Sequence, residues 1–149
     1  LEDIERALIF GKICAFVQGV DLIESAKEAH QWSLNIADIP KTWREGCILR
    51  GVLLDHWITE IEGPEPKSLI DVGYFWEELV RCNEAARIVL SDCMEARIPM
   101  PALTASLSWF DSITSSRLPQ NLTQAQRDAF GAHGLYLWND PDRLVRKEW

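Results

Sequence analysis

Arg127 and His133 are the residues of this 149-residue sequence whose types and spacing offer the most chemistry. They stand in Leu118-Pro119-Gln120-Asn121-Leu122-Thr123-Gln124-Ala125-Gln126-Arg127-Asp128-Ala129-Phe130-Gly131-Ala132-His133, where polar donors cluster without enough apolar residues for a deep core helix. A guanidinium presents a planar fork of donors that matches a phosphate better than an ammonium does. Gln124 and Arg127, three apart, share a helical face, whereas His133 would sit about 240° round a continuous helix from Arg127 and could not join them. Gly131 can break the helix and turn His133 back. On residue types alone Arg127 is also readable as a surface ion-pair partner of a neighbouring carboxylate, and function stays open at this point.

Other chemistries find less support. The eight glycines never fall into G-x-G-x-x-G or P-loop spacing, so the chain has no nucleotide fingerprint of its own. No G-x-S-x-G elbow is present for a Ser nucleophile. Cys14, Cys47, Cys82 and Cys93 stand 33, 35 and 11 apart with no C-x-x-C, which suggests buried free thiols rather than zinc ligands or a disulfide scaffold. Asp55 and His56 with Glu60 nearby make a weak metal candidate on an otherwise apolar helix, better read as structural, and no metal is expected.

Charge narrows the partners. The net charge is −8, from 15 basic and 23 acidic side chains, so a polyanion would be repelled and nucleic-acid binding is not expected. Residues 1–116 carry 10 basic and 19 acidic groups, but residues 117–149 carry 5 and 4. The segment holding Arg127 and His133 is the one part of the chain that could welcome a small anion. No uninterrupted apolar run approaches 18 residues and the first residues lack a signal-peptide pattern, so no membrane association is expected and a soluble, cytoplasmic protein is. The opening Leu1 in place of Met suggests a piece of a longer polypeptide.

These residues must be positioned by helices. Apolar residues Ile4, Leu8, Ile13, Phe16, Val17, Val20 and Ile23 recur at threes and fours and predict a long amphipathic helix over 1–30. A short helix is expected over 39–45, with Asp38 two before Pro40, and a third, apolar round most of its circumference, over 47–58. Gly63, Pro64 and Pro66 mark 62–67 as a solvated loop. A second long helix is predicted over 71–97, with Phe75, Leu79, Cys82, Ala86, Val89, Leu90 and Cys93 on its apolar stripe, then an extended break at Ile98-Pro99-Met100-Pro101. Helices over 102–114 and 122–130 follow, and 139–149 reads as a non-helical tail with Trp149 as its apolar anchor. No segment alternates cleanly with β-branched residues, so the expected class is all-α, one domain of about six helices.

Four stretches together resemble a known family: Lys12-Ile13-Cys14-Ala15-Phe16-Val17-Gln18-Gly19, Trp43-Arg44-Glu45-Gly46-Cys47-Ile48-Leu49-Arg50, Ile98-Pro99-Met100-Pro101-Ala102-Leu103-Thr104, and 118–133. In this order they resemble, from Leu1 to Trp149, the C-terminal helical domain and tail of 6-phosphogluconate dehydrogenase, the decarboxylating enzyme of the pentose phosphate pathway. The resemblance implies NADP-dependent oxidation of 6-phosphogluconate, then loss of CO2 to give ribulose 5-phosphate. It implies a homodimer in which Arg127 reaches the substrate phosphate of the other subunit and His133 contacts the same substrate. It also implies that the catalytic Lys and Glu, with the dinucleotide-binding domain that holds NADP, lie upstream of Leu1. The family's usual Thr-Tyr-Glu after that His is here Gly134-Leu135-Tyr136, and its Phe-Tyr-Asp-Gly-Tyr is Trp109-Phe110-Asp111-Ser112-Ile113.

Two expectations attach to the chain itself. Alone it should be catalytically inactive, and it should self-associate through apolar surface to which Trp57, Trp76 and Trp109 contribute. The alternatives are a helical assembly module that kept the fold without the chemistry and a relative acting on another small hydroxy acid.

Overall fold

A computed structural model describes residues 1–60 and 68–149. The described residues form two compact units, Leu1–Asp111 and Ser112–Trp149. The expected loop at 62–67 lies outside the described residues.

The first unit is built on two long helices, α1 (Glu2–His30) and α4 (Gly73–Glu95), which make its main packing contact. Both run beyond 20 residues because apolar positions recur at helical spacing with no interior Pro. Acidic Glu2, Asp3 and Glu5 open α1 while Lys27 and His30 close it, charges that oppose the helix dipole at both ends. The buried line of α1 runs Ala7, Phe10, Cys14 and Val17, facing Phe75, Leu79, Cys82 and Ala86 of α4 in one core. Ile4 and Leu8, expected on that line, are exposed instead. Leu8 is one residue on from Ala7 and so about 100° away round the helix, off the face that meets α4.

Short elements close this core. Helix α2 (Asp38–Gly46) starts after a turn in which Asn35 Oδ1 accepts the Ala37 amide at 3.0 Å. Helix α3 (Val52–Glu60) starts five residues later than the sequence suggests. Between Gly46 and Gly51 the chain is a turn: Cys47 is extended, its Sγ accepts the Leu49 amide at 3.4 Å, and Arg50 N–H reaches Cys47 O at 3.1 Å. Two glycines flanking so short a stretch make a separate helical nucleus costly. Accordingly α3 is apolar on one face only. Leu53, Leu54 and Trp57 are buried, while Ile48 is 96% exposed in the turn. Trp57, expected on an outer apolar surface, is fully buried with its ring edge-on to Trp43 at 6.1 Å.

A 3-10 turn at Leu69–Asp71, capped by Ser68 Oγ on the Ile70 amide, leads into α4. At the far end Arg97 takes a left-handed φ of 58°, Ile98 N–H bonds Cys93 O at 2.8 Å and Arg97 N–H bonds Met94 O at 3.1 Å. This Schellman closure stops the helix just before the first proline of Ile98-Pro99-Met100-Pro101. Helix α5 (Pro101–Thr114) starts on Pro101, where a missing N–H costs nothing, and Phe110 near its end packs edge-on to Phe10 at 5.4 Å. Of the four thiols only Cys14 and Cys82 are buried; Cys47 and Cys93 are half-buried, so burial of all four is corrected.

The second unit holds helix α6 (Asn121–Gly131) and an antiparallel hairpin of β1 (Leu135–Leu137) and β2 (Asp140–Val145). The class is all-α as expected and the tail is non-helical as expected, but it carries a strand for which the sequence gives no sign. Leu135 pairs with Val145, Tyr136 with Leu144 and Leu137 with Asp140, with an irregularity after Tyr136. A three-residue strand facing one that carries Pro141 and charges at Asp140, Asp142 and Arg143 shows no alternation to detect. Among the described residues no helix is long and apolar enough to cross a membrane.

Asp128 fastens this unit together. It is buried on α6, its Oδ1 accepts the Gly134 amide at 2.7 Å, and its Oδ2 accepts the Lys147 amide at 3.2 Å and the Trp149 indole N–H at 3.0 Å. One carboxylate therefore holds both the chain leaving α6 and the chain end. The Trp149 hydrogen bond, aided by the two amides and the charge of Arg146, holds its pKa below the ordinary 3.8.

Two outcomes are expected. Phe10→Ala empties a fully buried aromatic site and should cost about 3 to 5 kcal/mol in urea unfolding, against about 0.5 kcal/mol or less for exposed Leu22→Ala. Because the Asp128 pKa is lowered by folding, its contribution is complete above 3.8 and is lost as pH falls through the lower folded value. The Trp149 indole proton signal in NMR should therefore keep its docked position down to that pH and shift only in stronger acid, and Asp128→Asn should shift it near neutrality; a signal indifferent to both rules the fastening out.

Candidate functional site

Helix α6 presents Thr123, Gln126, Arg127 and Phe130 to solvent, and the next residues bend back over its end. The reversal is made by Ala132 at φ 50°, rather than by Gly131 as the sequence suggests. Gly131 has a different part. A Cβ there would lie 2.9 Å from the ring of His133, so the bare glycine leaves room for the imidazole to lie against the last turn of α6 where a side chain would push it aside. Arg127 and His133, which a continuous helix would separate, thus line one open depression of about 480 Å³ with Thr123, Gln126, Phe130 and Gly131.

Two contacts set Arg127 within that depression. Its Nη1 donates to Gln124 Oε1 at 3.0 Å, and Gln124 Nε2 donates to Gly134 O at 2.7 Å. Among the described residues no carboxylate lies within ion-pair distance of Arg127. The neighbouring Asp128 is committed to Gly134, Lys147 and Trp149. Among the described residues the surface ion-pair reading of Arg127 thus has no partner, and the guanidinium charge is left unneutralised. Both Arg127 and His133 are exposed. An exposed fork of cationic donors beside an imidazole and a Thr123 hydroxyl has the chemistry to accept a small anion with further hydroxyls.

Asp128, whose part the sequence did not reveal, is the residue on which this geometry turns. The one signal for it was an acid inside the least acidic segment, followed by a chain end carrying an indole. Phe130 was also missed as a feature of the site: 91% exposed, it forms an apolar wall beside the cation.

The other candidates are each taken up by a neighbour. Asp55 ion-pairs with Arg44 at 2.7 Å, His56 stacks on Tyr74 with ring centroids 3.6 Å apart, and Glu60 accepts the Tyr74 amide at 3.3 Å. Each therefore has a structural partner, and among the described residues no group of three His, Cys, Asp or Glu is placed to hold a metal. Burial pushes the Cys14 thiol up to about 12, which removes it as a nucleophile.

Comparison with known proteins agrees in fold and sequence. The family model for the 6-phosphogluconate dehydrogenase C-terminal domain matches residues 1–149. The chain is 39% identical to the decarboxylating 6-phosphogluconate dehydrogenase of Mus musculus over its full length, covering 31% of that protein. It is 40% identical to the chloroplastic decarboxylating 6-phosphogluconate dehydrogenase 2 of Oryza sativa, covering 29% of it. A solved 6-phosphogluconate dehydrogenase of Plasmodium falciparum, described in its apo form and in complexes with its cofactor NADP+ and its substrate 6-phosphogluconate, superposes with a TM-score of 0.91 at 32% identity. That match covers 99% of this chain and 32% of that one. The chain thus spans about a third of the length of the relatives it matches. With the whole of it covered by one family model and one fold, the chain belongs to the 6-phosphogluconate dehydrogenase C-terminal domain family.

Proposed function

We propose that this chain is the substrate-completing and dimerising part of an NADP-dependent, decarboxylating 6-phosphogluconate dehydrogenase, with Arg127 gripping the substrate phosphate and His133 a hydroxyl or carboxylate of the same molecule. The observation that carries the proposal is the shared depression: a cation without an acidic partner and an imidazole brought beside it by the turn at Ala132. A sugar-acid phosphate has a dianionic end for the guanidinium and several hydroxyls for neutral donors. In the proposed dimer each chain lends this pair to the other subunit's site.

The residues here do not fit NADP itself. Among the described residues no glycine turn can cradle a pyrophosphate, since Gly11 and Gly19 lie inside α1 and Gly46, Gly51, Gly73, Gly131 and Gly134 stand singly at helix ends and turns. Cofactor binding is assigned to a dinucleotide-binding domain outside these 149 residues, as are the Lys and Glu that move protons during oxidation and loss of CO2. This chain's own part is to bind the substrate and fix its phosphate end.

The dimer is supported by apolar side chains left exposed in each unit. Leu1, Ile4 and Leu8 form one such face at the start of α1, and Phe130, Tyr136 and Trp138 are exposed in the second unit. Isologous pairing buries such faces twice over at one stroke. Four unpaired cysteines suit a reducing compartment, for which the cytoplasm is proposed.

In the full-length enzyme Arg127→Ala should raise KM for 6-phosphogluconate roughly 10- to 150-fold at saturating NADP, from about 1.5 to 3 kcal/mol of charge-assisted hydrogen bonding, with the unfolding midpoint nearly unchanged. An unchanged KM would leave the chain an assembly module without a part in binding. Light scattering of the 149-residue chain at about ten times micromolar concentration should give a species larger than 17.0 kDa; a clean monomer counts against the dimerising role.

A further inference from the structure

Gln124 belongs to neither the core nor the depression that Arg127 and His133 line, yet its half-buried side chain is fixed at both ends. Arg127 has only donors to offer and the Gly134 carbonyl can only accept. One orientation of the Gln124 amide satisfies both, with Oε1 toward Nη1 at 3.0 Å and Nε2 toward Gly134 O at 2.7 Å. We infer that Gln124 is a positioning residue for substrate binding: it clamps the Arg127 guanidinium to the turn that carries His133 and so fixes the spacing of the two substrate contacts. This rests on the reading of Arg127 and His133 as the substrate grip.

The residue type follows from the task. Three residues before Arg127, position 124 is on the same helical face and within reach of it. A carboxylate there would hold the guanidinium as well, but it would neutralise the charge meant for phosphate and turn a second oxygen toward the Gly134 carbonyl. An apolar side chain would leave the guanidinium free to sweep through its rotamers and would strip the Gly134 carbonyl of a donor. An amide avoids both faults. Because the bond to Gln124 uses Nη1, the edge of the fork formed by Nε and Nη2 is left for two parallel bonds to phosphate oxygens. Arg127 is exposed, so without the clamp its ordering would have to be supplied when substrate arrives.

Steady-state kinetics of the full-length enzyme with 6-phosphogluconate varied tests this. Gln124→Met, close in length but without the amide, should raise KM about 3- to 10-fold with kcat within about twofold. Gln124→Glu should raise KM more than Met does, since it adds the neutralising charge. In an Arg127→Ala background, Gln124→Met should add no more than about a twofold effect, because its action runs through Arg127. A residue that merely supports the fold would instead add its full effect in that background and lower the unfolding midpoint of both variants. An unchanged KM in Gln124→Met, a wild-type KM in Gln124→Glu, or full additivity with Arg127→Ala each overturns the inference. If Arg127→Ala itself leaves KM unchanged, the substrate-grip reading has failed and the inference with it. If Arg127→Ala raises KM and Gln124→Met does not, only the clamp has failed.

Discussion

The carboxylate of Asp128 is the constraint on which the geometry of the second unit depends. A short helix, a one-residue reversal and a small hairpin have little apolar area to bury, and isolated pieces of this size are marginal in water. What substitutes for a core is one acid whose two oxygens take three donors from different parts of the chain: the Gly134 amide just past the reversal, and the Lys147 amide and Trp149 indole at its end. Bonds to an ionised acceptor are the strong kind, and their geometry is specific. The same arrangement frees Arg127 from its neighbour's charge. Adjacent helix positions point about 100° apart, so Asp128 faces inward while Arg127 faces solvent, and among the described residues that cation has no acid within ion-pair distance.

The first unit works by another principle. Its stability lies in an apolar seam between α1 and α4, closed by the aromatic contacts of Phe10 with Phe110 and of Trp57 with Trp43. Burial of this kind scales with area and tolerates variation in detail. The exposed Leu1, Ile4 and Leu8 lie on the same α1 that carries the seam, so one helix serves an internal core along one line and offers an apolar face along another. A helix with two apolar faces gains stability from both only when something covers the second.

How far the sequence could be read depends on which of these principles was at work. The long helices were legible because burial along a seam leaves a period: Ile13, Phe16, Val17 and Val20, or Phe75, Leu79, Cys82 and Ala86, can be seen without coordinates. The prolines at 99 and 101 likewise announced the break between α4 and α5. The turn at Cys47–Gly51 was illegible because its residues are apolar and in helical spacing; two flanking glycines and a thiol that accepts the Leu49 amide decide it locally. The hairpin was illegible because it is held by Asp128 rather than by a buried face, so its strands carry no alternation. At the site, Arg127 and His133 could be picked out by type and by resemblance. The clamp through Gln124 could not, since a shared helical face says nothing of the carbonyl ten residues on that completes it.

The departure at Gly134 from the Thr expected by resemblance has a local physical basis. Gly134 adopts φ +78°, and a Cβ there would fall 2.5 Å from Leu144 Cδ1 and 2.8 Å from its Cγ. Leu144 pairs with Tyr136 in the hairpin, and its side chain would have to turn aside to admit a Cβ at 134. The bare backbone at 134 lets the Leu144 side chain lie against the reversal, and the hairpin brings Lys147 and Trp149 to Asp128. A side chain at 134 would need both a different backbone angle and a smaller or displaced residue at 144. The same glycine donates its N–H to Asp128 and accepts the Gln124 amide at its carbonyl, so the residue that departs from the family pattern is also where the fastening of the tail meets the clamp on the cation. Since both contacts are made by backbone atoms, the change of side chain leaves the hydrogen-bond pattern that sets Arg127 and His133 available to this chain.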